Sequence, residues 1–284
     1  MFSVNARQSS HPSLRVAVVQ NCATPDAEAT VEGLRRQIRD AASQGAGLIA
    51  LPEACEFLHP DNGAFDRHAR SLDDHPAALA LADEARRAAA WLLVGSLSVR
   101  AGSGRLANRS VLVSPRGVVH AIYDKINLFD AAPGETESLE SRIYERGRTA
   151  RVVDIGAARL GLSICYDLRF PALYRALAQA GAQILAVPSA FMQVTGEAHW
   201  HVLLRARAIE TGCFVIAPAQ CGRPHEGRQS FGHSLIVAPW GDVLADAGTE
   251  PAVAVADLDL AQVARARRRI PSIHQQHDFQ VEVS

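Results

Sequence analysis

The sequence predicts an α/β fold built as one domain. Short apolar strands alternate with amphipathic helices, hairpins break the alternation at two places, and no linker divides the 284 residues. The first strand is "LRVAVVQ", from Leu14. From about residue 26 to 44, Val31, Leu34, Ile38 and Ala42 recur at helical spacing with Arg and Glu between them. Gly45 and Gly47 end that helix. "LIALPE" follows as a short strand, apolar throughout, the pattern of a strand covered on both faces. A second helix over 77–90 leads into "WLLVGSLSV", and "NRSVLVSPRGVVHAIYDK" reads as a hairpin turning at Ser114-Pro115-Arg116-Gly117.

Residues 128–148 are polar and rich in Gly, Glu and Ser, a long surface excursion of the kind that often serves a site. Strand "RLGLSIC", a helix over 172–180 and strand "QILAVP" come next. A helix from about 197 to 211 gathers Trp200, Leu203, Leu204 and Ala208 on one face. Strands "CFVIAPA", "HSLIVAP", "DVLADA" and "AVAVADL" follow, the middle two joined at Pro239-Trp240-Gly241-Asp242. A basic helix over 259–269 ends the core. Residues 14–270 are therefore expected as a single domain, with 1–13 a disordered N-terminal tail and 271–284 a C-terminal tail.

Composition narrows the function. With 29 basic and 30 acidic side chains, the net charge of −1 offers no field to draw nucleic acid or an anionic membrane. No apolar run approaches the ~20 residues that span a bilayer. Cys22, Cys55, Cys165, Cys213 and Cys221 are odd in number and not closely paired, so they read as thiols in a reducing compartment, the cytoplasm by default.

Three different functional groups share one structural address. Glu53 stands in "LPE", directly after an apolar strand. Taken alone it reads as a solvated loop acid. Lys125, in "YDKINLFD", ends the hairpin's second strand and taken alone reads as a snorkelling surface lysine. Cys165 closes the run "GLSIC", where a single cysteine is commonly buried and inert. Together they read otherwise. A thiol with an unperturbed pKa of about 8.5 needs a base or a positive field to attack a carbonyl. A carboxylate can take its proton and a lysine can hold the oxyanion, which fits amide or nitrile chemistry.

Rival motifs fail on context. "GLSIC" misses the serine-hydrolase elbow at its last position. "GSGRLA" matches a dinucleotide fingerprint but leads into a strand rather than a helix. His199 and His201 point to different helix faces, and Cys55 with His59 lacks further ligands, so no metal and no cofactor are expected.

At these residues the chain resembles the nitrilase superfamily of carbon–nitrogen hydrolases. "LPE", "DKINLFD" and "ICYDLRFP" occur in the family's order, and the resemblance covers about residues 14–269. It implies a four-layer-forming α-β-β-α sandwich, and assembly into homodimers or higher homo-oligomers. It also implies a catalytic triad of Glu53, Lys125 and Cys165 and an oxyanion site formed by Lys125 and the Tyr166 N–H. A second family glutamate matches Glu140 in "LES", with Glu135 and Glu137 as neighbouring alternatives. The later stretch from "ALAQAGAQ" to "GDVLA" is similar to deaminated glutathione amidases, and omega-amidases acting on 2-oxoglutaramate are the second match. The implied substrate is thus a small carboxylate-bearing amide. One departure is Asn127, where many relatives have His. Arg169 is a candidate fork for the substrate carboxylate, a structural salt bridge being the alternative. Ser189, Phe191 and Thr195, in the loop after "ILAVP", are candidates for shaping the acyl pocket, with strand-end packing as the alternative.

Overall fold

The computed structural model describes residues 13–131, 138–275 and 277–283. Strand β1 (Ser13–Gln20) runs parallel to β2 (Leu48–Ala50), and β2 to β3 (Trp91–Arg100). Helix α1 (Ala27–Ser43) makes the first crossover, α2 (Asn62–His68) and α3 (Pro76–Ala88) the second. The hairpin β4 (Leu106–Val113) and β5 (Val119–Asp124) extends this sheet antiparallel. Two short strands, β6 (Asp130–Ala131) and β7 (Ser138–Leu139), pair within the polar excursion.

The second half repeats the plan. Strand β8 (Arg151–Asp154) lies antiparallel to β9 (Arg159–Leu162), which is parallel to β10 (Ile184–Ala186) and through it to β11 (Phe214–Ala217). Crossovers α4 (Pro171–Gln179) and α5 (Gln193–Thr211) connect them. A small hairpin, β12 (Cys221–His225) and β13 (Arg228–Phe231), precedes β14 (Leu235–Val237) and β15 (Val243–Asp246), which extend the second sheet. Strand β16 (Ala252–Asp259) returns to pair with β1, and α6 (Ala261–Arg269) follows. The sheet orders are β16-β1-β2-β3-β4-β5 and β15-β14-β11-β10-β9-β8. Each has three parallel strands at its centre and antiparallel strands at its edges.

Alternation along the strands builds four layers. Val16, Val18, Leu48 and Leu93 point toward the other sheet and are buried with Leu160, Leu162, Ile184 and Phe214. Their neighbours Ala17, Val19, Ile49 and Leu92 point the other way, onto Leu34 and Ile38 of α1 and Leu81 of α3. Across the molecule, Leu185 and Val215 pack on Tyr174 and Leu177 of α4 and Trp200 and Leu204 of α5. The fold is an α-β-β-α sandwich. In the outer layer, Glu84 of α3 is fully buried but takes hydrogen bonds from Arg35 at 2.9 Å and from Arg39 at 2.6 and 3.0 Å, which pins α1 to α3.

Three local readings change. Helix α5 begins at Gln193, before the expected residue 197, so Thr195 lies in its first turn rather than in a loop, its hydroxyl donating to the Met192 carbonyl at 3.2 Å. The turn contains Val194, Thr195 and Gly196, poor helix formers, but Gly196 lets α5 touch β13: a Cβ there would stand 2.2 Å from the Phe231 ring. The strand read through Cys165 stops at Leu162, because the chain turns off the ladder to seat the cysteine. Helix α2 and the β12–β13 hairpin carry no clear periodicity and escaped the sequence reading. Within the segment expected as a C-terminal tail, Ser272–His274 forms a 3-10 turn whose Ile273 is buried against α4 and α5.

Candidate active site

Glu53, Lys125 and Cys165 converge just beyond the carboxyl ends of β2, β5 and β9, one functional group from each exit. Glu53 is 5% exposed and Lys125 1% exposed. The Lys125 ammonium donates to Glu53 Oε1 at 2.8 Å and to Glu140, whose nearer oxygen is also at 2.8 Å. Asn108 Nδ2 donates to Glu53 Oε1 at 3.0 Å, and the Ala190 N–H to Glu53 Oε2 at 3.0 Å. The Cys165 thiol lies close enough to the same carboxyl for each to shift the other's ionisation.

Burial and neighbouring charge set the protonation states. For Glu53 burial pushes the pKa up, but the Lys125 charge and the donors Lys125, Cys165 and Asn108 outweigh it and hold the carboxyl below the usual range. For Lys125 burial works against the charge, yet Glu140 and Glu53 together raise the ammonium well above an ordinary lysine. Burial, followed by the Glu53 charge, pushes the Cys165 thiol well up. Burial also raises Glu140, against the pull of Lys125. These directions favour a charged Glu53 carboxylate, a charged Lys125 ammonium and a neutral Cys165 thiol.

Cys165 has φ of 45°, a left-handed conformation that is rare outside glycine. Its N–H donates to the Pro188 carbonyl at 2.9 Å, and a 3-10 turn over Cys165–Arg169 begins at the same residue, placing the Tyr166 N–H directly after the sulfur. Asp167 locks this turn to the lysine loop. Its Oδ2 accepts from Tyr123 at 2.6 Å and from the Ile164 N–H at 2.9 Å. Its Oδ1 accepts from the Asn127 N–H at 2.9 Å and from Asn127 Nδ2 at 2.8 Å. The amide at position 127 thus ties together the turns that carry Lys125 and Cys165. Glu140 reaches Lys125 from the polar excursion and accepts from the Phe129 N–H at 2.8 Å, while Glu135 and Glu137 lie outside the described residues.

The other candidates stand as follows. Arg169 forms no ion pair among the described residues; its guanidinium meets His199 Nδ1 at 3.2 Å and lies 5.7 Å from the centre of the Phe191 ring. Phe191 is buried and packs on Trp200 with ring centres 4.8 Å apart. Ser189 is fully buried, its hydroxyl donating to the Val187 carbonyl at 3.0 Å. The sequence reading missed Asn108, Tyr123, Asp167 and Gln220, whose Nε2 holds the Glu53 carbonyl at 3.0 Å. Asp167 stands inside the quoted "ICYDLRFP", so its place two residues beyond the cysteine was the available signal.

The chain has relatives among known proteins. Residues 15–268 match the carbon–nitrogen hydrolase family. The chain belongs to that family. It is 42% identical over 267 residues to the deaminated glutathione amidase of Homo sapiens, covering 90% of this chain and 80% of the relative. The NitFhit protein of C. elegans superposes with a TM-score of 0.86 at 34% identity, over 93% of this chain and 65% of that one. An amidase variant from Nesterenkonia sp. AN1, with the acetamide of fluoroacetamide covalently added at its active-site cysteine, gives a TM-score of 0.77 at 29% identity. It covers 92% of this chain and 95% of that chain. As a carbon–nitrogen hydrolase the chain acts on carbon–nitrogen bonds other than peptide bonds. No helix among the described residues is long and apolar enough to cross a membrane.

Proposed function

We propose that this carbon–nitrogen hydrolase is a cysteine-dependent amidase that cleaves a small carboxylate-bearing amide, deaminated glutathione foremost, through a thioester. The observation that carries this reading is the buried ammonium of Lys125 bridging Glu53 and Glu140 beside the Cys165 thiol. Glu53 takes the thiol proton as Cys165 sulfur bonds to the amide carbon, and Lys125 with the Tyr166 N–H holds the oxyanion. The carbon–nitrogen bond breaks as Glu53 returns the proton to the departing amine. Glu53 then activates water, the carbon–sulfur bond breaks, and acid and free thiol are regenerated. Glu140 positions Lys125.

The substrate reading rests on the name carried by the 42% identical human relative. It is supported by Arg169, the last residue of the cysteine turn, whose guanidinium meets His199 and which no described carboxylate neutralises. Phe191 supplies an apolar face beside it, and Ser189 and Thr195 shape the backbone around it. We place the working enzyme in the cytoplasm, as a homo-oligomer without nucleic-acid or membrane partners. Release of ammonia or amine is to be measured across deaminated glutathione, 2-oxoglutaramate, an N-carbamoyl amine and a simple nitrile. Turnover of deaminated glutathione above the rest is expected, and Cys165→Ala abolishes it in a folded protein. Activity confined to the nitrile, or full turnover in Cys165→Ala, overturns the reading.

A further inference from the structure

Three residues beyond Glu53 the chain buries a second carboxylate that the chemistry above does not use. Glu56 is 1% exposed, and neither of its oxygens has a hydrogen-bond partner among the described residues. No lysine or arginine among them comes within ion-pair distance of it. What faces it instead is a pair of imidazoles. His68 Nε2, at the end of α2, stands 3.7 Å from Glu56 Oε1, and His75 Nε2, at the N-cap of α3, stands 3.8 Å from the same atom. These separations are too long for hydrogen bonds. Both ring nitrogens are themselves buried and without a hydrogen-bond partner. The three donor atoms all lie within 4.8 Å of one another.

A carboxylate and two imidazoles converging without touching is the geometry of ligands around a missing centre. Two donors bound to one zinc ion at about 2.0–2.1 Å stand about 3.3 Å apart at the tetrahedral angle, only a little closer than the two Glu56–histidine separations here. We propose that Glu56, His68 and His75 bind one divalent transition-metal ion, with zinc the best match to a His-His-Glu donor set. His75 Nδ1 is likewise buried and without a hydrogen-bond partner among the described residues. Phe57 stacks on the His68 ring at 4.2 Å between centres, fixing its plane. The His68 side chain is 25% exposed while its Nε2 is buried, so the ring meets solvent at its edge and turns its donor atom inward.

The ion would join the strand exit that carries Glu53 to α2 and to the start of α3, a clamp on the wall of the active site rather than a participant in its chemistry. The histidines excluded from metal binding on sequence, His199 and His201, are not among these ligands. His201 belongs to a second group with His233 and Asp246, but that one is closed on itself by hydrogen bonds of 3.0–3.2 Å.

The test uses the full chain, made without a histidine tag, stripped with a chelator and titrated with cobalt(II) alone, then with zinc(II). Visible cobalt absorption saturating at about one equivalent, lost on adding zinc, is expected, together with a higher Tm in the metal-bound protein. Glu56→Gln and His68→Asn each remove the binding, and His233→Gln leaves it unchanged. If Glu56→Gln fails to fold by circular dichroism, His68→Asn carries the test, because its ring sits partly in solvent. The proposal is overturned by the absence of saturable absorption in the folded wild-type chain, by binding that persists in folded His68→Asn, or by binding that His233→Gln abolishes.

Discussion

At φ of 45° the Cys165 backbone occupies a region that costs a non-glycine residue about 1–3 kcal/mol, and the surrounding turn has to hold it there. The bond from Cys165 N–H to Pro188 and the four bonds accepted by Asp167 do so. The sulfur then meets Glu53 in a site where burial and that carboxylate keep the thiol neutral, so attack requires the proton to move to Glu53 as the bond forms. This separates two roles of Glu53. Its negative charge disfavours the thiolate, while the proposed mechanism uses its basicity in turnover. In Glu53→Gln the first effect disappears and Lys125 remains, so iodoacetamide labelling of Cys165 should reach its half-maximal rate at a lower pH than in the wild type. Amide turnover should fall by about 10²–10⁴-fold in the same variant. Labelling and turnover that decline together would show Glu53 acting as an activator of a preformed thiolate. The pH profile tests the same assignment from another side. Glu53 is held below the ordinary carboxylate range, so kcat/KM should stay level from about pH 7 to about pH 5. An acid limb centred inside that interval would assign the base elsewhere.

Strand exits hold these groups only because two chain segments pass within contact distance at Gly95 of β3. A Cβ there would lie 1.8 Å from the Leu51 carbonyl oxygen, 2.6 Å from that of Pro52 and 2.4 Å from Pro188 Cβ. Those segments lead directly to Glu53 and to Ala190, the donor to Glu53. Gly95→Ala should therefore cost about 1–3 kcal/mol of stability in thermal or denaturant unfolding and lower kcat at least about tenfold, with KM changed less. A variant with wild-type kcat would mean that the exits tolerate separation. Gly95 stands inside "WLLVGSLSV" with nothing in its neighbours to mark it, because the atoms it must avoid come from positions more than forty residues away in one direction and ninety in the other. The same reason governs what the sequence could disclose elsewhere. The long helix α1 and the turn at Ser114-Pro115-Arg116-Gly117 declare themselves through local periodicity and local turn chemistry. Helix α2 is short, and the first turn of α5 is stabilised by contact with Phe231, so neither has a local signal. Glu53, Lys125 and Cys165 were legible as residues that each follow an apolar run. Tyr123, Asn108 and Gln220 act through partners distant in sequence, and only the fold brings them to the site.

The molecule as a whole is two similar halves, and the candidate site lies on the seam between them. Glu53 and Lys125 come from the first sheet, Cys165 and Ala190 from the second, so the inter-sheet core that buries Val18, Leu48, Leu162 and Phe214 also sets the distance between base and thiol. Outside that core, α5 connects the seam to the surface. On its inner side Arg207 donates to the Leu168 carbonyl at 2.8 and 3.1 Å, bracing the cysteine turn. On its outer side Val194, Val202 and Ile209 are 66%, 68% and 54% exposed and fall within one sector of the helix. Beside the helix's end, Trp240 is 46% exposed. We assign this apolar row, on a helix beside the candidate site, to the contact between copies in the homo-oligomer proposed above, isologous pairing being the commonest arrangement. Val202→Asp places a charge in the middle of the row. Light scattering coupled to size exclusion should then show a homo-oligomer for the wild type and a monomer for the variant. Because α5 loses its cover, the monomer should also have lower kcat. A wild-type monomer, or a Val202→Asp variant of unchanged mass, would remove α5 from the assembly and leave the bracing of Leu168 to the single chain.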